Sequence, residues 1–321
     1  MDPACKLIAR KMFMLCVLRA KGAEYQLLFE RVMQYREPKF VPIKPYGKIG
    51  DRGNDGYIPS TGIYFQVYAP EEPAAPRNVV TAVEKAAEDF NKLLEHWSES
   101  APVQGYRFVY NDRYYGSPQP VEMALATIRN NHDVDASVFL AKDLENEAME
   151  LDDDQLFAIL EAPIPEANLL ASIDFSVLRD VIDYILKTKS PVTASNLKAP
   201  VFEEKIAFNG LTSVVANLLT GGSYQSDAIT DYFSKNSTFA RQQLRDELAS
   251  KYMESKTRIK KLTDEDLKAG DLVFFDLLEL ITPCGAEMTQ SQHAVAQEAA
   301  IVVMAFYFEA CDIFEDPNAI A

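Results

Sequence analysis

The chain has 321 residues, of which 48% are apolar and 25% are charged, so it can bury a core and is neither disordered nor fibrous throughout. Its 32 basic and 48 acidic residues give a net charge of −16, which excludes a surface uniformly attractive to nucleic acid or anionic membranes. Residues 1–50, however, carry ten basic and only four acidic side chains, so any phosphate-binding surface is expected there.

The first half of the chain alternates between helix and strand patterns. Apolar residues at helical spacing predict helices over 4–20 and 23–36, and Glu30 lies beside the apolar stripe of the second. A short strand is expected at 40–43, and a glycine-rich segment then leads into a β-hairpin over 55–68. Later patterns predict helices over 79–97, 120–130 and 142–160, and strands over 106–110 and 136–140. This interleaving predicts an α/β sandwich.

Strand patterns nearly stop after about residue 165. Helical periodicity covers 174–187, 201–220, 224–235, 238–257, 264–282 and 289–314. Gly221, Gly222 and Ser223 are expected to form a hinge between two helices. Because Pro163 and Pro165 favour a boundary, we predict an α/β domain over residues 1–165 and an all-α domain over 166–321.

The four cysteines lack the C-x-x-C spacing of zinc ribbons and thioredoxins. Scattered cysteines in a chain of this length predict reduced thiols and a cytoplasmic location. The apolar run Met12–Leu18 is too short to cross a bilayer, so we interpret it as a buried helix face and expect no membrane contact.

Three oxygen-bearing side chains form a candidate metal site. Asp55 and Gln66 lie on the two strands of the predicted hairpin, where a short turn would bring them side by side. Glu30 would approach them from its helix. A divalent cation prefers such hard oxygen ligands and can activate water and neutralise charge on a phosphodiester. Each residue alone is better explained as a turn or surface residue, but the combination favours a site.

The same residues resemble a known family. Three segments are similar to the motifs of the PD-(D/E)XK nuclease superfamily, in particular its Mrr-like restriction endonuclease branch. They are Phe29-Glu30, the glycine-rich segment Gly50–Gly56 and Gln66-Val67-Tyr68. The resemblance covers about residues 20–115. It implies a three-layer sandwich with a mixed sheet, and a Mg²⁺ or Mn²⁺ ion held by Glu30, Asp55 and Gln66.

The sequence departs from that family at Tyr68, where the family has a lysine near the scissile phosphate. A phenol cannot replace that cation at neutral pH. One explanation is a lysine that has moved: Lys85 is the first candidate, because Lys85, Asp89 and Lys92 share a helical face that should flank the hairpin, and Lys48 is the second. The alternative is that the domain has lost catalysis and only binds.

The C-terminal half resembles a second family. Three segments are similar to the helical domain of ABC-three-component conflict-system proteins: residues 299–317, the helical run 206–219 and Tyr232-Phe233. This resemblance implies that a nuclease-like effector is fused to the helical domain, and that the helical domain couples the effector to an ATPase. No Walker A string occurs in this chain, so ATP hydrolysis would belong to a partner.

These observations predict a Mg²⁺-dependent DNA endonuclease that acts in prokaryotic antiviral defence. Asp55, Gln66 and Lys85 would be catalytic, and Lys44, Lys48 and Arg52 would contact nucleic acid. The expected partners are DNA, the ATPase and adaptor proteins of the same system, and further copies of the chain. The rival hypotheses are a degenerate nuclease fold that serves as a DNA-binding or scaffold component, and a helical interaction protein that is inert toward DNA.

Overall fold

The computed structural model describes residues 1–47, 50–99, 101–165, 175–188, 202–235, 238–263, 269–285, 288–309 and 313–315. The chain divides into two compact units: the α/β unit is Cys16–Ile159, and the helical unit combines Met1–Leu15 with Leu160–Ala321. Residues 1–15 thus group with the C-terminal half, whereas the sequence patterns predict that they belong to the α/β domain. The domain limits of 1–165 and 166–321 stay a prediction.

The α/β unit contains a five-stranded mixed sheet. Its strands are β1 (Val41–Pro42), β2 (Gly56–Ile58), β3 (Ile63–Tyr68), β4 (Gly105–Tyr110) and β5 (Asp135–Leu140). The helices up to its end are α1 (Pro3–Arg19), which both units share, α2 (Ala23–Arg36), α3 (Pro76–His96), α4 (Gln119–His132), α5 (Ala141–Ala148) and α6 (Asp153–Leu160). The α/β prediction is confirmed, although the predicted helix over 142–160 is two helices.

The strands lie in sequence order across the sheet. The β1, β2 and β3 strands are antiparallel, with Tyr57 opposite Tyr64, and β3, β4 and β5 are parallel, with Gln66 opposite Phe108. Each parallel step is made through a helix, α3 and then α4, as parallel pairing requires. The carboxyl ends of three neighbouring strands therefore share one edge of the sheet.

Helices cover both faces of the sheet. Tyr64 and Tyr106 belong to a buried cluster with side chains of α3 and α4, which therefore cover that face. Phe65, next to Tyr64, points to the other face because side chains alternate along a strand. There the centroid of its ring lies 5.4 Å from the ring centroid of Phe29 in α2. The Phe29 ring also packs against Phe139 of β5, with 5.9 Å between the ring centroids. The unit thus has three layers, and its identity as a nuclease sandwich stays a prediction.

The helical unit is organised around two buried helices. Its helices are α7 (Phe175–Lys187), α8 (Phe202–Phe208), α9 (Ser213–Ser223), α10 (Ser226–Lys235), α11 (Thr238–Leu262), α12 (Gly270–Ile281) and α13 (Gln290–Glu309). Most of α12 and α13 is buried on all sides, as expected for helices enclosed by others. No helix in the described part of the chain is both long and apolar enough to cross a membrane.

The predicted hinge at Gly221–Ser223 is wrong, since these residues form the last turn of α9. A Cβ built on Gly222 would lie 2.8 Å from the Cβ of Ala305, so the glycine allows α9 and α13 to approach closely. The predicted single helix over 201–220 is instead divided into α8 and α9, and Gly210 (φ +63°) lies between them. Gly210 therefore marks a break between two helices, whereas Gly222 permits close packing of two helices.

Candidate active site

Asp55 lies at the start of β2 and is almost completely buried, with 4% of its surface exposed. Its Oδ2 accepts two hydrogen bonds of 2.7 Å, from Gln66 Nε2 and from the backbone N–H of Val67. No donor among the described residues reaches Oδ1. Burial raises the pKa of Asp55 to about 7, and the nearby charges of Asp51 and Asp89 act in the same direction. The Val67 N–H and Lys85 oppose this shift in the Asp55 pKa.

Gln66 brings an unsatisfied oxygen to the same place. The residue is 2% exposed, and its Nε2 donates to Asp55, in line with the predicted side-by-side placement of the two residues on the hairpin. Its Oε1 is buried without a hydrogen-bond partner, which costs free energy unless a ligand or water satisfies it. Asn54, which precedes Asp55, is also fully buried and leaves its Nδ2 unpartnered.

A lysine pair on α3 flanks these residues. Asp89 is buried and accepts from Lys85 Nζ at 2.6 Å and from Lys92 Nζ at 2.7 Å, so the predicted common helical face is confirmed. Lys85 is the more buried lysine, and its charge lowers the pKa of Asp55. Lys85 therefore lies within electrostatic range of the Asp55 carboxyl group.

The glycine-rich segment is fixed against the same helix. Gly53 has φ +76°, and a Cβ built on it would lie 2.4 Å from the backbone oxygen of Asp89. The Asp51 carboxylate accepts from the Gly53 N–H at 2.9 Å. The segment reaches Asp55 two residues later, so the contact at Gly53 sets the position of Asp55 relative to Lys85.

Glu30 is not grouped with the other two predicted ligands. It is 4% exposed and lies on α2, the helix on the Phe65 side of the sheet, whereas Gln66 is on the α3 side. Its carboxylate accepts from Gln26 at 3.0 Å and from Lys44 at 2.5 Å. The assignment of Glu30 as a metal ligand stays a prediction, and it requires Lys44 to release the carboxylate.

Tyr68 is half-buried and packs against the aromatic core on the α3 side of the sheet. Its ring stacks on Tyr110 at 6.0 Å and on Phe108 at 6.2 Å. Burial raises the pKa of Tyr68 above its ordinary value of 10. The phenol is therefore neutral at physiological pH and supplies no charge at the position of the family lysine.

The predicted nucleic-acid contacts differ in their surroundings. Lys44 is 65% exposed, but its ammonium group is paired with Glu30. Arg52 is exposed and has the left-handed backbone value φ +59°. Lys48 lies outside the described residues. Their role in binding nucleic acid stays a prediction.

The residues around Asp55 provide some of the ligands that a bound metal cation needs, but not a full set. Asp55 Oδ1 and Gln66 Oε1 accept no hydrogen bonds, and an oxygen-rich site with few carboxylates is typical of Mg²⁺ held together with substrate phosphate. However, no cluster of three or more His, Cys, Asp and Glu side chains arranged for a metal occurs in the described ranges. Water and substrate oxygens would have to complete the coordination.

Sequence reasoning missed the buried Asn54 and the burial of Asp89. The i, i+4 and i, i+3 spacing of the two lysines around Asp89 was the available signal, since such spacing places charges together on a helix. No sequence signal indicated that Asn54 would be fully enclosed.

Comparison with known proteins addresses the helical unit. Residues 176–315 match the family model described as C-terminal domain 10 of the ABC-three component (ABC-3C) systems. The matched segment is therefore similar to a C-terminal domain of ABC-three-component systems. It supports the helical-domain resemblance drawn from 206–219 and 299–317, and it covers less than half of the chain. No curated protein and no solved structure matches the chain, so the nuclease resemblance of the α/β unit has no support from these comparisons.

Proposed function

We propose that this chain is the nuclease-like effector of an ABC-three-component defence system and that its α/β unit hydrolyses DNA phosphodiesters with Mg²⁺ or Mn²⁺. The observation that carries the proposal is the convergence of Asp55, Gln66 and Lys85 on one face of the sheet. A carboxyl group with a raised pKa, an unsatisfied amide oxygen and a nearby ammonium group form an arrangement more typical of a functional site than of a core.

Each of these residues has a defined task in the proposed reaction. Asp55 Oδ1 and Gln66 Oε1 would hold the ion, since neither accepts a hydrogen bond. A bound Mg²⁺ or Mn²⁺ would supply Lewis-acid polarisation of the phosphate and activation of water. Lys85, positioned by Asp89, would place its positive charge beside the phosphate oxygens and orient the attacking water.

The flanking residues have supporting tasks. Lys44, Lys48 and Arg52 would contact the DNA backbone, and Glu30 would fix Lys44 until DNA binds. If Lys44 then moves to a phosphate, the Glu30 carboxylate is released. Because α2 lies on the face opposite Gln66, the predicted role of Glu30 as a ligand of the same ion would require a movement of Glu30 as well as this release.

The helical unit would couple the effector to its partners. The match to an ABC-three-component C-terminal domain supports this role, and the chain contains no Walker A string of its own. The partners we propose are the ATPase and adaptor proteins of the same system and further copies of this chain.

A second candidate function is a catalytically inactive, DNA-binding scaffold on the same fold. The stacked, neutral Tyr68 favours it, as does the pairing of Glu30 with Lys44. Under this hypothesis Asp55 holds no metal ion and only stabilises the hairpin through Gln66 and Val67.

We expect the wild type to cleave plasmid DNA with Mg²⁺ or Mn²⁺. Asp55→Asn should reduce the rate at least about 100-fold, and Lys85→Met at least about tenfold, as for removal of a charge that acts on the reacting phosphate. Lys92→Met is the matched control: Lys92 also binds Asp89, yet Lys85 is the lysine whose charge acts on Asp55. Lys92→Met should stay within about threefold of the wild type.

Mn²⁺ titration by calorimetry provides a second readout that needs no partner protein. We expect the wild type to bind Mn²⁺ and Asp55→Asn to lose that binding. Salt-sensitive DNA binding without cleavage or Mn²⁺ binding would support the scaffold instead. Wild-type protein that neither binds nor cleaves DNA at low salt would contradict both functions.

A further inference from the structure

Arg113 is a buried cation that forms no ion pair with any residue the structure describes. It follows the carboxyl end of β4, and its residue is 9% exposed. Its Nε is fully buried and has no hydrogen-bond partner, and no ion pair or hydrogen bond of its guanidinium group is formed among the described residues. Burial lowers the pKa of Arg113. A charge left in this state costs free energy, so the fold alone does not account for it.

The backbone at this position is also strained. Arg113 and Tyr114 have φ values of +50° and +65°, and two consecutive non-glycine residues in this region are uncommon. The loop is held by its neighbours: Asn111 Nδ2 donates to the backbone oxygens of Val17 and Ala20, and Asp112 accepts from the backbone N–H of Gly116. These bonds hold the loop in the conformation that places the Arg113 guanidinium group at the edge of the sheet.

The charges around Arg113 leave it available to an anion. Glu71 and Glu72 are near enough to act on it. However, Glu71 pairs with Lys21 at 2.5 Å and Glu72 pairs with Arg77 at 3.0 Å. Each glutamate thus has a closer cationic partner, and among the described residues no carboxylate pairs directly with Arg113.

The other acidic residue of the loop is also engaged elsewhere. Asp112 is 2% exposed, and its two carboxylate oxygens accept from the backbone N–H groups of Gly116 and Ala141. The location fits a ligand site as well, because ligands of α/β proteins bind beyond the carboxyl ends of parallel strands.

We propose that Arg113 is the anchor of an anion site for a phosphate group at the carboxyl ends of the parallel strands. The planar guanidinium group matches phosphate oxygens in a two-point contact. The neighbouring Glu71 and Glu72 disfavour a long polyanion, so the group we expect is a free or terminal phosphate, whose double charge a single arginine can hold. The site does not involve Asp55 and does not depend on nuclease activity.

The test uses modification of arginine by phenylglyoxal in the full chain, followed by mass spectrometry of the peptides. Saturating inorganic phosphate should slow modification of Arg113 at least about fivefold relative to chloride at equal ionic strength, because a bound ligand shields its site. Arg77, whose side chain is 78% exposed, is the internal control and should change by less than about 1.5-fold. Asp55→Asn should show the same protection as the wild type.

Oligonucleotide arms distinguish the source of the phosphate. A 5′-phosphorylated oligonucleotide should protect Arg113 as inorganic phosphate does, and the same oligonucleotide without the terminal phosphate should not. Protection by the unphosphorylated oligonucleotide alone would overturn the proposal, as would equal protection by phosphate and chloride.

Variants separate the anion site from a structural role. Phosphate should raise the melting temperature of the wild type. Arg113→Gln should keep the wild-type melting temperature without phosphate or raise it, since it removes an unpaired buried charge. Phosphate should no longer raise the melting temperature of this variant. Arg113→Lys keeps the positive charge but not the planar guanidinium group, so phosphate should raise its melting temperature by less than in the wild type. A large loss of thermal stability in both variants, with no phosphate effect in the wild type, would assign Arg113 to structure and reject the site.

Discussion

Asp55→Asn is expected to stabilise the metal-free protein at pH 8 by about 2–4 kcal/mol while removing activity. The physical reason is the cost of the buried charge: a shift of the Asp55 pKa from 3.8 to about 7 disfavours the charged form by roughly 4 kcal/mol, at about 1.4 kcal/mol per unit of pKa. Asparagine fits the site, because one oxygen can accept from Gln66 and Val67 while the amide nitrogen occupies the position of Oδ1, where no donor is directed.

The pH dependence of stability has a definite sign. Since the pKa of Asp55 is higher in the folded chain than the ordinary value of 3.8, the native state binds more protons than the unfolded state between about pH 4 and pH 7. The contribution of Asp55 is therefore fully present below this window and is lost as pH rises through it. In Asp55→Asn this contribution is absent.

Chemical unfolding in EDTA at several pH values between 5 and 8 measures both effects. The stability difference between Asp55→Asn and the wild type should grow with pH and level off above about pH 7. Glu84→Gln, which neutralises an exposed carboxylate on α3, is the control and should change stability by less than about 0.5 kcal/mol. An Asp55→Asn variant that is less stable than the wild type at pH 8 would contradict the assignment of a costly buried charge.

The same proton should compete with a metal ion. If Asp55 is a ligand, it must be deprotonated to bind. Wild-type affinity for Mn²⁺ is then expected to weaken by up to about tenfold for each pH unit below 7. Affinity that is independent of pH between 5 and 7 would place the ion elsewhere.

Local patterns predicted the parts of the site that belong to one or two neighbouring elements. The adjacency of Asp55 and Gln66 follows from the hairpin, since alternation and a short turn fix which residues are opposite each other. The Lys85–Asp89–Lys92 cluster follows from helical spacing. Both are properties of short chain segments, which is why the sequence was sufficient.

The position of Glu30 could not be obtained in this way. The apolar pattern of α2 indicates which side of the helix is buried, but not which face of the sheet it covers. Phe29 and Glu30 are both buried, and only the packing of Phe29 on Phe65 shows that α2 lies on the face opposite Gln66. A site that joins a helix to a sheet depends on that packing.

Arg113 shows a second limit of sequence reasoning. Its left-handed backbone has none of the usual sequence signals, because neither Arg113 nor Tyr114 is a glycine or an asparagine. The conformation is imposed by tertiary hydrogen bonds of Asn111 to residues more than ninety positions earlier. No local pattern contains that information.

Gly53→Ala is expected to destabilise the protein by about 2–4 kcal/mol and to separate Asp55 from Lys85. The new Cβ would lie 2.4 Å from the Asp89 backbone oxygen, and a backbone atom within a helix cannot move aside as a flexible side chain can. The backbone of Gly53, at φ +76°, adds the cost of a left-handed alanine, about 1–2 kcal/mol. Relief of the overlap requires the segment to leave α3, and cleavage activity should fall with it.

Gly50→Ala provides the matched control for this prediction. Gly50 lies in the same segment with nearly the same backbone, φ +70°, but no atom lies within 4 Å of a Cβ built there. It should therefore lose only the conformational cost, about 1–2 kcal/mol, and should keep its activity. Chemical unfolding of the two variants isolates the contact with Asp89 as the difference between them. Equal losses would mean that Gly53 does not hold the segment against α3, and the positioning of Asp55 would need another cause.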